Sequence, residues 1–204
     1  RISSVIAMPY YTDITKYLQY YAEQASGVKG WRMVRYLPPT STTWHPINDN
    51  LAGNTTYGTA FNYTNAFSVY FGDFDEFLFS TGGIKHWLHV SKEQAIGTTY
   101  DNLSRKIIKS SVMPFSYYAN WYNRGSGSPE DPWIGLRSHG TQTRNSPYTG
   151  GDMILYAENS YASSHWSLPT IGLDNGMCVF VRNSTDTEPT NTYDTEYKIL
   201  RFEH

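Results

Sequence analysis

Carboxylate side chains are concentrated between aromatic residues in the segment Phe71-Gly-Asp-Phe-Asp-Glu-Phe. Paired carboxyl groups among aromatic side chains are typical of glycoside hydrolases, which use them as acid, base or nucleophile. On a strand, however, Asp73 and Asp75 share one face and Glu76 points to the other, so the three cannot converge on one bond. A structural role, on the solvent side or capping a turn, is the favoured interpretation. We therefore predict no catalytic residues and no enzymatic activity.

His86 and His89 form the one histidine pair with metal-like spacing. They would share a face on a helix, but their surroundings are typical of a strand, on which the two imidazoles point to opposite sides. The single cysteine, Cys178, lies in an apolar strand-like run, which predicts a small buried side chain rather than a nucleophile. We predict no metal site formed by these residues.

The segment Ile47-Asn-Asp-Asn-Leu-Ala-Gly-Asn has the composition of a calcium loop. It lacks the spaced acidic ligands and closing glutamate of such a loop, and Asx turns explain it equally well. We expect no cofactor apart from covalent glycans. The alternative is a structural Ca²⁺ held by Asp49, Asp73 and Asp75.

The chain of 204 residues is 16% aromatic and only 17% charged, with 18 Tyr and 6 Trp. Aromatic residues and Thr favour strands, whereas Lys and Glu, which usually fill exposed helices, are scarce. A net charge of -2 offers no basic field for nucleic acid. No apolar run approaches the roughly 20 residues that cross a bilayer. We predict a mainly β protein that binds no nucleic acid and does not span a membrane.

One helix and a series of short strands follow from the residue pattern. Apolar residues recur at helical spacing over residues 12–25, and Gly27 can end that helix; residues 91–95 can form one further turn. Short apolar segments separated by Gly-, Pro- and Asn-rich turns indicate an antiparallel β-sandwich or jelly-roll-like fold with one short N-terminal helix. The predicted strands are residues 31–37, 67–71, 74–79, 84–90, 106–108, 133–136, 153–156 and 177–182.

Both end segments carry apolar, strand-like residues outside this central pattern. We divide the chain into a strand and helix that form an assembly segment (1–29), a β-sandwich body (30–182), and an acidic Thr- and Pro-containing tether with a terminal strand (183–204). The tether has too little apolar surface to pack, whereas the strand behind it needs burial. That strand can close its own sheet or complete the sheet of a neighbour. The predicted assembly residues are Ile2, Val5, Ile6, Ile199, Leu200 and Phe202.

Four Asn-X-Ser/Thr triplets lie beside polar or turn-forming residues. They are N-glycosylation acceptors in a eukaryotic secretory route, and their neighbours predict surface positions. Arg1 in first place is expected of a processed product or a fragment, and removal of a signal peptide is one cause. We expect an extracellular or cell-surface location. The predicted acceptors are Asn54, Asn62, Asn102 and Asn183.

Several aromatic side chains could stack on a sugar ring and donate hydrogen bonds to it. Core packing is the rival explanation, because Trp and Tyr in a sandwich are more often partly buried than exposed to a ligand. The candidate sugar contacts are Trp44, Trp121, Tyr122 and Trp133.

Segments at residues 30–54, 74–82, 130–136 and 177–182 resemble poorly characterised secreted or surface proteins of microalgae and related protists, with similar segments in some of their large viruses. The resemblance covers roughly residues 30–182, and it implies location more than activity. The chain is also similar to subunits of glycan-coated extracellular filaments from such organisms. Both resemblances imply a surface protein with no catalytic role attached to its motifs.

Two functional hypotheses follow. The first is a structural subunit of an extracellular glycosylated filament, which assembles head to tail as a homopolymer by lending a terminal strand to the next copy. Its partners would be itself and its glycans. The alternative is a carbohydrate-binding, lectin-like module for cell-surface or viral attachment.

Overall fold

The computed structural model describes residues 14–41, 45–96, 106–111, 117–120, 131–136, 153–157 and 176–185. Within these residues the helices are α1, Ile14–Ser26, and α2, Lys92–Ile96. The strands are β1 Arg32–Leu37, β2 Phe67–Ser68, β3 Glu76–Thr81, β4 Trp87–Ser91, β5 Lys109–Ser110, β6 Tyr117–Asn120, β7 Trp133–Leu136, β8 Met153–Tyr156 and β9 Met177–Arg182.

The larger sheet has six strands in the order β2-β1-β9-β3-β4-β5, and its neighbours are antiparallel. β9 lies between β1 and β3, so that Phe180 is opposite Met33 on one side and Leu78 on the other. All six residues of β9 are buried. A strand in this position needs apolar side chains on both faces, which explains the apolar run at residues 177–181.

Two apolar clusters lie on opposite faces of this sheet, as the alternation of side chains along β9 requires. On one face, Val179 and Val181 pack with Ile134 and Leu155 of a three-stranded antiparallel sheet, β6-β7-β8. On the other face, Phe180 and Cys178 pack with Leu18 and Ala22 of α1. The described residues therefore form helix, six-stranded sheet and three-stranded sheet in succession, which confirms the predicted mainly β, sandwich-like fold with one short N-terminal helix. Cys178 is buried, as expected.

α1 is joined to the sheet by hydrogen bonds at its C-terminal end. The helix ends at Ser26, and Gly27 has a φ of 77° while its N–H donates to Glu23 O at 2.9 Å. Only glycine adopts that conformation without strain, so the predicted stop at Gly27 is correct. Trp31 Nε1 donates to Ser26 Oγ at 2.8 Å, and the Gly30 N–H donates to the buried Glu23 carboxylate at 2.9 Å.

A β-bulge in β1 determines the direction of Arg35. The pairing of β1 with β9 shifts register between Met33 and Arg35, which leaves Val34 as the extra residue. A bulge turns two successive side chains towards one face. Val34 packs in the cluster beneath the three-stranded sheet, and Arg35 enters the same interlayer space.

The structure corrects the predicted ends of three strands. β3 starts at Glu76 instead of residue 74, β4 starts at Trp87 instead of residue 84, and β2 ends at Ser68 instead of residue 71. Phe74 and Ile84 are buried but lie outside the strands, and Ile84 has a φ of 57°. Buried apolar residues of a loop produce the same pattern as residues of a strand. The predictions for β2 and β4 therefore included loop residues, and β3 was predicted two residues too early, at 74–79 instead of Glu76–Thr81.

Two strands near the centre of the sequence differ further from prediction. β5 is Lys109–Ser110 rather than residues 106–108, and β6, Tyr117–Asn120, was not predicted. α2 occupies Lys92–Ile96, where one helical turn was expected. The proposed division at residues 29/30 and 182/183 stays a prediction.

Gly53 has a φ of 75°, and a Cβ built there would lie 1.9 Å from Phe71 Cγ. We expect Gly53→Ala to lower the free energy of unfolding by about 2–4 kcal/mol, because left-handed strain adds to overlap with a buried ring. Gly27→Ala is the matched control: its φ is 77°, but its nearest neighbour is Lys109 Nζ at 3.8 Å. Its free energy of unfolding should fall by only about 1 kcal/mol. Chemical denaturation of both variants measures the difference. Equal losses would contradict the close packing at Gly53.

Candidate functional site

The acidic segment that most resembled a catalytic motif is divided among separate structural roles. Asp73 and Asp75 are exposed and precede β3, whereas Glu76 is its first residue and is partly buried. The prediction of a surface or turn role is confirmed for Asp75, whose carboxylate accepts hydrogen bonds from the backbone N–H of Ser184, at 2.7 Å, and from the Ser184 hydroxyl. Asp75 therefore fixes the chain directly after β9.

Glu76 belongs to a charged cluster at the end of the six-stranded sheet. Its Oε2 atom accepts from His89 Nε2 at 2.8 Å and from Arg182 Nη1. Arg182 also donates to Lys29 O at 2.8 Å, and its guanidinium lies 5.6 Å from the Trp31 ring. The His89 ring is thus held by a hydrogen bond to Glu76. It does not form a metal site with His86 among the described residues.

The most buried polar cluster lies between the two sheets and centres on Arg35, whose side chain is 0% exposed. Arg35 Nη2 donates to Asp49 Oδ2 at 2.8 Å, and Nε donates to Ser68 Oγ at 2.8 Å. Nη1 donates to the Tyr156 hydroxyl and lies 3.6 Å from Asp131 Oδ2. The guanidinium also lies 4.7 Å from the centre of the Phe71 ring. We call Arg35, Asp49, Asp131 and Tyr156 the interlayer network.

The interlayer network joins three parts of the fold. Arg35 comes from the six-stranded sheet, Tyr156 from β8, and Asp131 lies two residues before the start of β7. Tyr156 donates its hydroxyl proton to Asp131 Oδ2 at 2.7 Å, while Asp131 Oδ1 accepts from the Asn50 N–H at 2.7 Å. Asp49 Oδ2 also accepts from the Gly53 N–H at 3.0 Å. The loop that resembled a calcium site is therefore organised by Arg35, a permanent cation, through a turn closed by Asp49.

His45 extends this network at its edge. Its ring stacks on Tyr156 with 4.6 Å between the ring centres, and its Nδ1 atom shares a hydrogen bond with the Tyr57 hydroxyl. His45 Nε2 and Asp49 Oδ1 are buried without a hydrogen-bond partner among the described residues. Buried polar atoms without partners lower the stability of the folded state, so these two atoms reduce the net stabilisation that the network provides.

Burial dominates the protonation behaviour of the network. It raises the pKa of Asp131 to about 6, although the Tyr156 hydrogen bond and the Arg35 charge act to lower it. Burial and the charge of Arg35 both lower the pKa of His45 well below its usual value. Burial lowers the pKa of His89 as well, against the opposing effect of Glu76. Both imidazoles are therefore neutral at pH 7.

The predicted glycan acceptors lie at the surface where they are described. Asn54 and Asn62 are exposed in the loop between β1 and β2, and Asn183 is partly exposed directly after β9. Asn62 Oδ1 accepts from the N–H of Thr64 at 3.1 Å and from its hydroxyl. Asn183 Oδ1 makes the same pair of bonds with Thr185, at 3.3 and 2.9 Å. Both are Asx turns closed by the threonine of the acceptor triplet.

The side chains of the other predicted site residues are not described. Trp133 lies in β7, but only its backbone belongs to the described part of the chain. The predicted assembly residues and most candidate sugar contacts, together with one acceptor, lie outside it: Ile2, Val5, Ile6, Trp44, Asn102, Trp121, Tyr122, Ile199, Leu200 and Phe202.

Among the described residues, no group of three or more His, Cys, Asp or Glu side chains is placed to hold a metal ion. Neither described helix has the length and apolarity that a membrane crossing requires.

Sequence reasoning missed the interlayer network. A signal was present, because Arg35 is a charged residue within the apolar strand Arg32–Leu37, and such a residue must be paired if it is buried. Its partners could not be identified from spacing, since Asp49 is 14 residues away and Tyr156 is 121 residues away.

Comparison with known protein families, with curated proteins and with solved structures finds no significant match to this chain.

Replacing Arg35 tests whether the interlayer network stabilises the fold. We expect Arg35→Met to lower the free energy of unfolding by about 3–5 kcal/mol, because two buried carboxyl groups lose their cation. Arg32→Met is the matched control: Arg32 is only partly buried and donates to the Phe71 and Asp73 carbonyls. It should cost roughly 1 kcal/mol in urea denaturation. A similar small loss for both variants would contradict the proposed role of Arg35.

The shifted pKa values predict lower stability in mild acid. The unfolded chain protonates His45 and His89 near pH 6.5, whereas the folded chain binds these protons only at lower pH because both pKa values are lowered. The free energy of unfolding therefore falls as the pH decreases. Asp131 opposes this loss, because with a pKa of about 6 it binds a proton in the folded state before it does in the unfolded state. We expect His45→Gln to flatten the pH dependence by up to about 1.4 kcal/mol per pH unit, and Asp131→Asn to steepen it. Unfolding measured from pH 7 to pH 5 checks this; three parallel profiles would contradict it.

Proposed function

We propose that this chain is a structural subunit of an extracellular, glycosylated filament, in which a terminal strand of one copy completes a sheet of the next. The observation that carries the proposal is the organisation of the chain around Ser184. Asp75 anchors the backbone there, and a polar tether followed by the apolar residues Ile199, Leu200 and Phe202 comes next in the sequence. A segment of that kind needs an apolar sheet face to cover it.

The smaller sheet supplies a suitable acceptor. Among the described residues, β6 and β8 each have a strand neighbour on one side, namely β7. A strand added at either edge would satisfy backbone hydrogen bonds and cover alternate side chains. Since donor and acceptor surfaces differ, this contact is heterologous, and a heterologous contact that does not close on itself propagates as a fibre.

A non-enzymatic role is supported by the use of the acidic and imidazole groups. The two best-formed charged clusters in the described residues are each held by an internal ion pair, Arg35–Asp49 in one and Arg182–Glu76 in the other. The interlayer network lies between the two sheets, and its members Arg35, Asp131 and Tyr156 are buried. By contrast, the acceptors Asn54 and Asn62 are exposed, as a glycan coat on the outside of a filament would require.

The alternative is a carbohydrate-binding module. Phe61 and Tyr70 favour it, because their aromatic side chains are 45% and 64% exposed and could stack on a sugar. Specific binding of the monomer to sugars on a glycan array would support this function instead of the filament.

Truncation after Thr185 tests the filament proposal while retaining the Asp75–Ser184 anchor. We expect the full chain to form polymers in electron microscopy and the truncated chain to remain monomeric in light scattering, since the donated strand is absent. The matched control is a full-length chain with Thr187→Ala, which changes the tether but keeps the apolar segment. Polymers of unchanged length from the truncated chain, or a full chain that stays monomeric at every concentration, would contradict strand donation by residues 186–204.

A further inference from the structure

We propose that Asn62 and Asn183 are the preferred glycan acceptors and that Asn54 is a poor one, because Asx turns hold the first two side chains in a fixed geometry. This inference depends on the proposed function in one respect: the chain must pass through a secretory route that transfers N-glycans. It does not depend on assembly into filaments.

The acceptor geometry is best defined at Asn62. The backbone N–H of Thr64 can only donate, so the side-chain atom it meets at 3.1 Å must be the carbonyl oxygen Oδ1. That assigns the opposite atom as Nδ2, which makes no hydrogen bond with the described residues. The turn is held by further backbone bonds, from Asn62 N to Thr59 O at 3.1 Å and from Asn65 N to Asn62 O at 3.3 Å. The reactive nitrogen is thus exposed on a defined loop.

Asn183 repeats this geometry in an unrelated part of the fold. Thr185 closes its Asx turn, and the middle residue of the triplet, Ser184, is held by the Asp75 carboxylate. Asp75 is held in turn, because its N–H donates to Arg182 O at 3.0 Å and its carbonyl accepts from the Lys92 N–H at 2.7 Å. The acceptor triplet is therefore linked through Asp75, the residue before β3, to the first residue of α2.

Asn54 provides an internal comparison. Its triplet, Asn54-Thr-Thr, has the same threonine in third place as the other two, so the consensus is equally satisfied. It is exposed, whereas Asn183 is only partly exposed. Yet the Asn54 side chain makes no hydrogen bond with the described residues, and no Asx turn is formed with Thr56. Neither the consensus nor the exposure therefore puts Asn54 at a disadvantage to Asn183, and the difference between the two sites is the local geometry.

The transfer chemistry explains why the turn matters. The donor is an oligosaccharide activated as a polyprenyl diphosphate. A bond forms between Nδ2 and sugar C1 as the C1–O bond to the diphosphate breaks; the lipid diphosphate leaves with the electron pair, and Nδ2 gives one proton to a base of the transferring enzyme. Two hydrogen bonds donated to Oδ1 draw electron density from the carboxamide, which makes the Nδ2 proton easier to remove. They also hold Nδ2 in one orientation, so less side-chain entropy is lost when the donor binds.

Site occupancy in the secreted full chain tests the inference. The chain is expressed in a eukaryotic secretory host, the glycans are removed enzymatically in ¹⁸O water, and peptides are analysed by mass spectrometry. Thr55→Tyr is the matched variant, because it gives Asn54 the same triplet, Asn-Tyr-Thr, as Asn62 while changing an exposed residue. We expect occupancy at Asn62 and Asn183 to exceed that at Asn54 several-fold in both proteins.

The outcomes separate the inference from the function. Equal glycan occupancy at the three sites would overturn the inference. So would a Thr55→Tyr variant in which the occupancy of Asn54 rises to that of Asn62, because the triplet sequence rather than the Asx turn would then determine occupancy. A secreted chain without any N-glycan would overturn the inference and the glycan coat together. If occupancy is higher at Asn62 and Asn183 than at Asn54 but the native material contains no filaments, only the filament proposal is overturned.

Discussion

The burial of one arginine determines how the two sheets are joined. Arg35 reaches the interlayer space only because β1 contains a bulge at Val34, and once buried it needs both Asp49 and Asp131 as partners. An isolated buried charge costs far more than a paired one, so the two acidic residues and the Tyr156 hydroxyl are required as a set. The position of the three-stranded sheet and the path of the β1–β2 loop both follow from that requirement.

The surface segments that carry the predicted glycan acceptors depend on this internal arrangement. The β1–β2 loop carries Asn54 and Asn62, and its start is fixed where Asp49 accepts hydrogen bonds from Arg35 and from the Gly53 N–H. At the other end of the six-stranded sheet, Glu76 with Arg182 and Asp75 with Ser184 fix the exit of β9 and the acceptor Asn183. Buried ion pairs therefore organise the inside of the body, while Asn54 and Asn62 are exposed on its outside. This is the distribution that the proposed glycan-coated subunit requires.

The periodicity of apolar residues predicted the helix and the strands that pack in the core. It failed where tertiary contacts determine the conformation. The apolar run at residues 177–181 and the helical spacing before Gly27 were sufficient to place β9 and α1. The strand ends near Phe74 and Ile84 were wrong because a buried apolar side chain in a turn is indistinguishable from one in a strand. The interlayer network could not be predicted, since a bulge reverses the face of Arg35 and its partners are distant in sequence. The surface position of the sequons, by contrast, followed from their polar neighbours.

Tracing the chain beyond Ser184 in the native assembly would test the central claim most directly. Cryo-electron microscopy of the native material, at a resolution that separates strands, shows which body the segment 197–204 joins. The account predicts that this segment pairs with an edge of the three-stranded sheet of an adjacent subunit, with glycan density outside at Asn62 and Asn183. A segment that returns to its own body in isolated particles would contradict strand donation.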